Sequence, residues 1–408
     1  MRSPERPVGQ DKSAVIRNIT FIGLFATLGL SGNADSPVLY PEHIAQSPPR
    51  LSSDYSDYSE ILPKDDFSPA HVELSPTPIP RWNDIAFEKK FQLPEHVPSL
   101  ALRSIWEEDH SWVSSLPPDQ TRIIVATGDI NLGRYINIQI SRNGISWPLE
   151  NTQEILRNAD ATIINLESAL HEDCPIQEEG MVLCGAPANA QSLLSGGVDI
   201  VNLANNHIAD YGQSGMERTI DVLRDGGLQP VENGSVVMRN IRGITFAFVG
   251  YNDIFQSHNV PMIPSDQDVI RQIQEIKEEA DVVVVSYHFG EQYVYSPTYR
   301  QIHLAHLAVD AGADLVLGNH PHRVQPIEVY KGSLIVYSHG NFVFDQMWSE
   351  ETRTGIIGRY TFFDDRLVDA QFIPVSIVDF GQPILPDTEQ SSRILKQLEE
   401  ISSEFAEQ

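Results

Sequence analysis

Positive charge is scarce in this chain of 408 residues, and the shortage limits its partners. Lys and Arg total 28 against 56 Asp and Glu, which gives a formal net charge of −28 at pH 7. A surface this acidic repels nucleic acid and anionic lipid, so we expect neither as a primary partner. A bulk polyanion is repelled as well, unless metal ions at a local site mediate the contact.

Cysteine is nearly absent, which excludes a cysteine-rich metal site. The sequence has 2 cysteines, Cys174 and Cys184, and they flank a segment rich in Gln, Glu and Gly. Two cysteines alone make a poor metal site, so we do not interpret them as ligands. In an exported protein they could close the segment as a disulfide worth roughly 3 kcal/mol at best. Two free thiols are the alternative.

Long apolar runs are also rare, and the candidate targeting segment lies at the N-terminus. Ile19 to Leu30 is mostly apolar, follows a basic flank that includes Arg17, and precedes the small residues Gly32-Asn33-Ala34. This run is short for a membrane-spanning helix, which needs about 20 residues. We therefore predict that residues 1–34 are a signal peptide and that the protein is exported to the extracellular space. An uncleaved N-terminal anchor, with membrane contact and a cell-surface location, is the alternative.

Composition divides the rest of the chain into three regions. Residues 35–118 are dense in Pro, Ser and Asp, which predicts a linker region that is partly packed on the main domain. Residues 119–385 carry the regular pattern of that domain, and residues 386–408 predict a C-terminal acidic helix. Because 41% of the residues are apolar, a sizeable core can form.

Apolar runs of strand length alternate with helical patterns from residue 122 onward. The predicted strands cover 123–126, 162–167, 198–203, 244–249, 281–287 and 314–317, and the predicted helices cover 187–194, 215–223, 268–280 and 299–311. Runs of strand character follow in succession at 327–330, 334–337, 355–363 and 368–374. This order predicts an α/β protein whose sheet is extended by antiparallel strands.

Side chains that can bind metal follow the strands at their carboxyl ends. They form the clusters Gly128-Asp129, Asn165-Leu166-Glu167, Asn205-Asn206-His207, His288 and His320-Pro321-His322. Each residue alone has a structural interpretation, such as a helix cap for an Asp or a turn for an Asn. Strand ends gather at one edge of an α/β sheet, so together they predict one site. Mixed imidazole and oxygen donors suit Mn, Fe or Zn, and a carboxylate shared by two ions is typical of two-metal hydrolases.

The residues, order and spacing of these motifs resemble those of the CapA family of capsule and poly-γ-glutamate biosynthesis proteins. This family lies within the calcineurin-like metallophosphoesterase superfamily. The resemblance covers about residues 122 to 375. The motifs that carry it are Thr127-Gly128-Asp129-Ile130-Asn131-Leu132-Gly133, Asn165-Leu166-Glu167, Leu203-Ala204-Asn205-Asn206-His207-Ile208-Ala209-Asp210-Tyr211-Gly212, His288-Phe289-Gly290, Gly312 to His322, and Tyr337-Ser338-His339-Gly340-Asn341-Phe342.

The resemblance implies a sandwich of two mixed β-sheets flanked by helices, with two divalent metal ions, Mn, Fe or Zn. It assigns one role to each matching residue: Asp129 and His322 bind the first metal, Glu167 bridges both, Asn206, His288 and His320 bind the second, and His207 acts as a general acid or orients phosphate.

Two positions depart from the family pattern. Asn131 stands where the wider superfamily has a metal-binding His, which weakens or alters the first metal site. His339 stands where the family commonly has Leu, and we expect a structural role for it. Asn131, Asn205 and Asn341 are candidate pocket residues.

The leading functional prediction is an exported, metal-dependent hydrolase of the phosphoesterase type, in which metal-activated water attacks the substrate. The resemblance implies a role in capsule or poly-γ-glutamate biosynthesis or export, with an anionic polymer or a phosphoester as substrate and membrane-bound polymer synthase subunits as partners. A non-catalytic accessory or binding subunit is the first alternative. A metal-dependent amidase that acts on glutamyl linkages is the second.

Overall fold

The computed structural model of the protein describes residues 97–107, 109–254 and 265–407. All of them fall within one compact unit, Pro78–Gln408. The predicted targeting segment and most of the predicted linker lie outside the described residues, so those predictions and the domain boundaries stay predictions. Within the described ranges, no helix is both long enough and apolar enough to span a membrane.

Strands and helices alternate through the first two thirds of this unit and strands dominate thereafter. The strands are β1 (Thr121–Ile130), β2 (Ala161–Leu166), β3 (Ala169–Leu170), β4 (Cys184–Gly185), β5 (Ile200–Asn202), β6 (Gln229–Val231), β7 (Val236–Ile241), β8 (Ile244–Asn252), β9 (Val282–His288), β10 (Leu315–Asn319), β11 (Ile327–Tyr330), β12 (Ser333–Val336), β13 (Asn341–Val343), β14 (Thr354–Phe363), β15 (Arg366–Val378) and β16 (Gln382–Ile384). The helices are α1 (Leu102–Ile105), α2 (Arg134–Asn143), α3 (Gln153–Arg157), α4 (Ala190–Gly196), α5 (Gly212–Asp225), α6 (Asp266–Glu279), α7 (Tyr299–Ala311) and α8 (Thr388–Ala406).

The strands form two large mixed sheets. The first has the order β16-β15-β14-β1-β2-β5-β6, with β13 paired to β1, and the second has the order β11-β12-β10-β9-β8-β7. In the first sheet β1, β2, β5 and β6 run parallel, and in the second β8, β9, β10 and β12 do. Antiparallel strands extend each parallel set: β14, β15 and β16 lie beyond β1 in the first sheet, and β7 lies beside β8 in the second. This is the α/β arrangement of two mixed sheets that the sequence predicts.

The alternation of side chains along each central strand explains the layering. In β9, Val282 and Val284 pack into a core shared with β1, β2 and β5 of the other sheet. Val283 and Val285 point the opposite way and pack against α6 and α7. A strand buried on both faces has a continuous apolar sequence, which is why Val282-Val283-Val284-Val285 predicts a central strand. The outer face of the first sheet packs in the same way against α2 to α5.

The sequence prediction locates the central elements and misses several short or peripheral ones. The predicted helix at 299–311 coincides with α7, and the acidic helix expected near residue 389 begins at Thr388. The elements without a sequence prediction are α1, α2, α3, β3, β4, β6, β7, β13 and β16. Most are short, so they carry too few residues for a period to emerge.

Candidate metal centre

The carboxyl ends of the central strands of both sheets converge on one site. Asp129 lies near the end of β1, where it is in register with Asn165 of β2 and Asn341 of β13. In the second sheet, His288 ends β9 in register with Asn319 of β10. Glu167, Asn206 and His320 lie just beyond strand ends, in the loops that follow β2, β5 and β10. The fold thus gathers side chains that are far apart in sequence.

A close backbone approach beside Asp129 requires glycine. The Asp129 amide donates to the Gly340 carbonyl oxygen over 2.9 Å. A Cβ on Gly128 would lie 2.1 Å from that same oxygen, which no side chain can tolerate. Gly128 therefore lets β13 pair beside the first carboxylate, and this pairing brings Asn341 to the site.

On the side of the second sheet, two imidazoles and an amide oxygen face one another. Nε2 of His288 lies 2.8 Å from Oδ1 of Asn206 and 3.0 Å from Nδ1 of His320. The same nitrogen lies 3.6 Å from Oε1 of Glu167. All four residues are buried. These are the residues that the resemblance assigns to the second metal.

On the side of the first sheet, a carboxylate and one imidazole meet. Nδ1 of His322 lies 3.2 Å from Oδ2 of Asp129, and Nε2 of His322 lies 3.9 Å from Oε2 of Glu167. Asp129 also accepts a hydrogen bond from the backbone amide of His320 over 3.2 Å. Asp129, Glu167 and His288 offer ligand atoms that all lie within 4.8 Å of one another. The structure therefore brings both predicted ligand sets together around Glu167.

Asn165 holds the two carboxylates in place. Its Nδ2 donates to Oδ1 of Asp129 over 2.9 Å and to Oε1 of Glu167 over 3.3 Å. Its Oδ1 accepts from the side-chain amides of Asn202 and Asn205. Such a network behind the ligands fixes their orientation, as is usual around metal ions.

Burial and repulsion between like charges shift the pKa values of the carboxyl and imidazole groups at the site. Burial raises the pKa of Glu167 well above its ordinary value, and the neighbouring Asp129 carboxylate raises it further. Burial lowers the pKa of His288 well below its ordinary value and lowers that of His320 to about 3, so both imidazoles are neutral acceptors near pH 7. Burial would also raise the pKa of Asp129, but the hydrogen bond from His322 holds it below its usual range.

This set of donors fits a divalent cation. Oε2 of Glu167 is buried and has no hydrogen-bond partner among the described residues. Buried carboxylates are costly without a compensating charge, and neutral imidazoles cannot supply one. A cation bound between the carboxylates and the imidazole nitrogens would satisfy both requirements.

Backbone strain is concentrated at two of the candidate ligands. His320 has a φ of 99° and His322 a φ of 55°, both in the region that favours glycine. Such conformations cost of order 1–3 kcal/mol each and cluster at functional sites. The loop after β10 therefore holds these imidazoles at a cost in folding free energy.

His207 lies at the same site and is oriented by Asp210. Nδ1 of His207 is 2.7 Å from Oδ2 of Asp210, which fixes the ring and leaves Nε2 for other contacts. His207 directly follows Asn206, which contacts His288, and a positive charge on His207 would lower the pKa of His288 and of His320. The sequence motif contains Asp210, but the motif alone does not reveal this contact.

Two of the three candidate pocket residues, Asn131 and Asn205, use their side chains to hold nearby backbone. Oδ1 of Asn131 accepts from the Gly133 amide over 2.8 Å, and its Nδ2 has no hydrogen-bond partner in the part of the chain that the structure describes. Asn205 accepts from the His207 amide and donates to the Leu166 carbonyl, so it braces the loop.

Asn341 instead orients a candidate ligand. Its Oδ1 lies 2.9 Å from Nδ1 of His322, and its Nδ2 donates to Gln346 and to the Thr352 carbonyl. His339, two residues earlier, is buried, and its Nε2 lies 2.8 Å from the Tyr360 hydroxyl. Burial lowers the pKa of His339 to about 4, which is consistent with the structural role expected for it.

A disulfide closes a loop beside the site. Cys174 is bonded to Cys184, with 5.4 Å between their Cα atoms. Within the loop, the Leu183 amide donates to Oδ2 of Asp210, the oxygen that also contacts His207. The Gly180 carbonyl accepts from Nη1 of Arg134 over 3.0 Å. The loop is thus attached to two residues at the edge of the candidate centre.

Comparison with known proteins gives consistent matches over this domain. Residues 123–346 match the family described as "Bacterial capsule synthesis protein PGA_cap". Capsule biosynthesis protein CapA of Bacillus anthracis is 31% identical over 301 residues, which cover 68% of this chain and 73% of that protein. PGA biosynthesis protein CapA of Bacillus subtilis is 31% identical over 294 residues, which cover 68% of this chain and 77% of that protein. Among solved structures, a phosphatase from Mycoplasma pneumoniae matches with a TM-score of 0.43 at 12% identity, over 63% of this chain and 94% of that chain.

Proposed function

The chain belongs to the bacterial capsule synthesis family PGA_cap, and from this premise we propose that it serves capsule or polyglutamate biosynthesis as an exported, metal-dependent hydrolase of phosphoester bonds. The observation that carries the proposal is the buried cluster of Asp129, Glu167 and His288, whose two carboxylate oxygens and one imidazole nitrogen lie within 4.8 Å of one another. Burial of such a group costs folding free energy, which a bound metal ion would offset.

The residues would divide between two ions that share one carboxylate. Asp129 and His322 would hold one ion, Asn206, His288 and His320 the other, and Glu167 both. When bound, two such ions supply activation of a water molecule and stabilisation of the charge on a phosphoryl oxygen. Asn165 keeps both carboxylates oriented, and Asn341 keeps His322 oriented.

His207 would serve as the general acid. Because Asp210 holds Nδ1 over 2.7 Å, Nε2 is the nitrogen that can face the substrate. A proton on Nε2 would pass to the oxygen of the departing alcohol as the phosphoester bond breaks. The disulfide loop stabilises this pair, since the Leu183 amide donates to the same Asp210 oxygen.

The disulfide also supports the exported location. Disulfides persist in oxidising compartments and are rare in the reducing cytosol. The Cys174–Cys184 bond is therefore consistent with a protein that folds outside the cytoplasm.

Hydrolysis of an aryl phosphate by the full-length, Mn-loaded protein tests the enzymatic proposal. We expect turnover in the wild type, and its loss in Asp129→Ala and His320→Ala. His303→Ala is the matched control, because His303 is exposed and pairs with Asp266 on the surface. Turnover that persists in both site variants, or that is absent from the wild type across metals and esters, would reject the hydrolase.

One observation favours a second candidate, a non-catalytic accessory subunit. Asn131 directs its oxygen to the Gly133 amide, so the first metal side has one imidazole fewer than the wider superfamily pattern. An accessory protein would keep a metal-dependent pocket for a polymer without turning it over. Metal-dependent binding of poly-γ-glutamate, with no release of glutamate or phosphate from any substrate, would support this candidate over the enzyme.

A further inference from the structure

Arg134 occupies a strained position directly beside the candidate centre. It is the first residue of α2, follows Gly133, and has a φ of 48° in the left-handed region. This backbone conformation is unfavourable for any residue other than glycine, so contacts with the surrounding structure must hold Arg134 in it. Arg134 follows the Asp129 motif in the sequence by only a few residues, and no sequence prediction includes it.

The guanidinium group is fixed on three sides. Nη2 donates to Oδ1 of Asp345, Nη1 donates to the Gly180 carbonyl, and the group lies 5.6 Å from the centre of the Phe344 ring. Its Nε is buried and has no hydrogen-bond partner among the described residues. A buried donor without a partner is costly, so this N–H is available for an acceptor that the protein itself does not supply.

The side chain of Arg134 shares one neighbour, Phe344, with His322. The Phe344 ring that contacts Arg134 also lies 4.9 Å from the His322 ring, between centroids. The Tyr293 ring lies 5.9 Å from His322 on the partly exposed side of the pocket. The positive charge of Arg134 also opposes the rise that burial causes in the pKa of both Glu167 and Tyr293, so both groups lie within its electrostatic range.

We propose that Arg134 is a substrate-positioning residue that binds an anionic oxygen of the substrate, phosphoryl or carboxylate, beside the metal ions. In a chain with a net charge of −28, a rigid cation at this place supplies attraction that the rest of the surface does not. Arginine suits the task because its planar group keeps its donors aligned while Asp345 and Gly180 hold the other nitrogens. The inference rests on the proposed metal-dependent function and adds a subsite for the substrate anion to it.

Calorimetric titration of the full-length, Mn-loaded protein with inorganic phosphate, and separately with glutamate, tests the subsite. We expect Arg134→Gln to weaken binding at least about 10-fold and Arg134→Lys to recover part of the loss. Arg218→Gln is the matched control, because Arg218 pairs with Glu172 on the exposed surface, and it should bind as the wild type does. Phosphate-specific binding assigns the subsite to phosphoryl oxygens, and glutamate-specific binding assigns it to carboxylates.

Metal content and thermal unfolding of each variant separate positioning from a merely structural role. If Arg134→Gln binds the anions as tightly as the wild type, or loses metal and stability together with binding, the inference is rejected. If the wild type binds phosphate through Arg134 but hydrolyses no ester, the subsite stands and the hydrolase fails. If the wild type is a hydrolase and Arg134→Gln leaves both KM and anion affinity unchanged, the subsite alone fails.

Discussion

At the end of the second sheet, Nε2 of His288 contacts both the Asn206 amide oxygen and His320. At the end of the first sheet, Asp129 contacts His322, whereas Asn131 directs its oxygen to the Gly133 amide. The second side therefore has a converging set of acceptors, and the first side depends on a carboxylate with one imidazole. Glu167 lies between them. The difference predicts that the first side binds a metal ion more weakly than the second, although both are built on strand ends.

Removing the shared carboxylate should have the largest effect on both sides at once. Because Glu167 contacts His288 and His322 with different oxygens, Glu167→Gln should abolish binding of both ions. We expect hydrolysis of an aryl phosphate to fall by on the order of 10³-fold or more. Elemental analysis and steady-state kinetics measure the two effects. Glu172→Gln is the control, since Glu172 is exposed, and retention of both ions in Glu167→Gln would contradict the bridging role.

Removing one ligand from each side should separate the two sites. His288→Ala should weaken the tighter binding step in a Mn titration by at least about 100-fold, and His322→Ala should affect the weaker step by a similar factor. The reason is that each imidazole belongs to one side of Glu167. Calorimetric titration of the metal-free proteins measures both steps. If both variants change the same step, the two sides are not separate sites.

Placing an imidazole at residue 131, on the first side, should narrow the difference in Mn affinity between the two sides. Asn131→His should tighten the weaker Mn step by about 10-fold, because an imidazole is a better ligand than an amide engaged in a turn. Asn131 is fully buried, so the larger ring could cost about 1–3 kcal/mol of stability through overpacking. Thermal unfolding controls for that cost. An unchanged weak step in a folded variant would show that residue 131 does not limit the first side.

A smaller effect, on the pH dependence of stability, is expected from a residue pair outside the candidate centre. It should be measured before any pH profile of activity is interpreted. The hydrogen bond from His110 to Asp369 over 2.6 Å raises the pKa of His110 above its ordinary value of 6.5. A raised folded-state pKa stabilises the protein fully below the unfolded pKa, and the stabilisation is lost as pH rises through the folded pKa. We therefore expect the Tm of the wild type to fall more than the Tm of His110→Gln when the pH rises from about 5.5 to about 9. Equal Tm changes in the two proteins would contradict this coupling.

The sequence predicts the candidate ligands well because each follows an apolar strand, and strand ends meet at one edge of an α/β sheet. Asp129, Glu167 and His288 therefore come together as expected. Their metal-binding roles stay predictions until an ion is measured.

The contacts that hold those ligands are harder to predict. Strand β13 has three residues, Asn341–Val343, so no period marks it, yet it brings Asn341 to His322. Asp210 and Arg134 both contact the disulfide loop, and spacing along the chain cannot reveal such contacts. The disulfide could be anticipated from Cys174 and Cys184, but its attachment to both of those residues could not.

Metal analysis of the purified full-length protein tests the central claim most directly, namely that the buried cluster around Glu167 is a metal centre. After loading with Mn and removal of excess metal, the wild type should retain a tightly bound ion, with a second ion bound more weakly, and Glu167→Gln should retain neither. Wild-type protein that binds no Mn, Fe or Zn, or that binds them equally in Glu167→Gln, would contradict the claim.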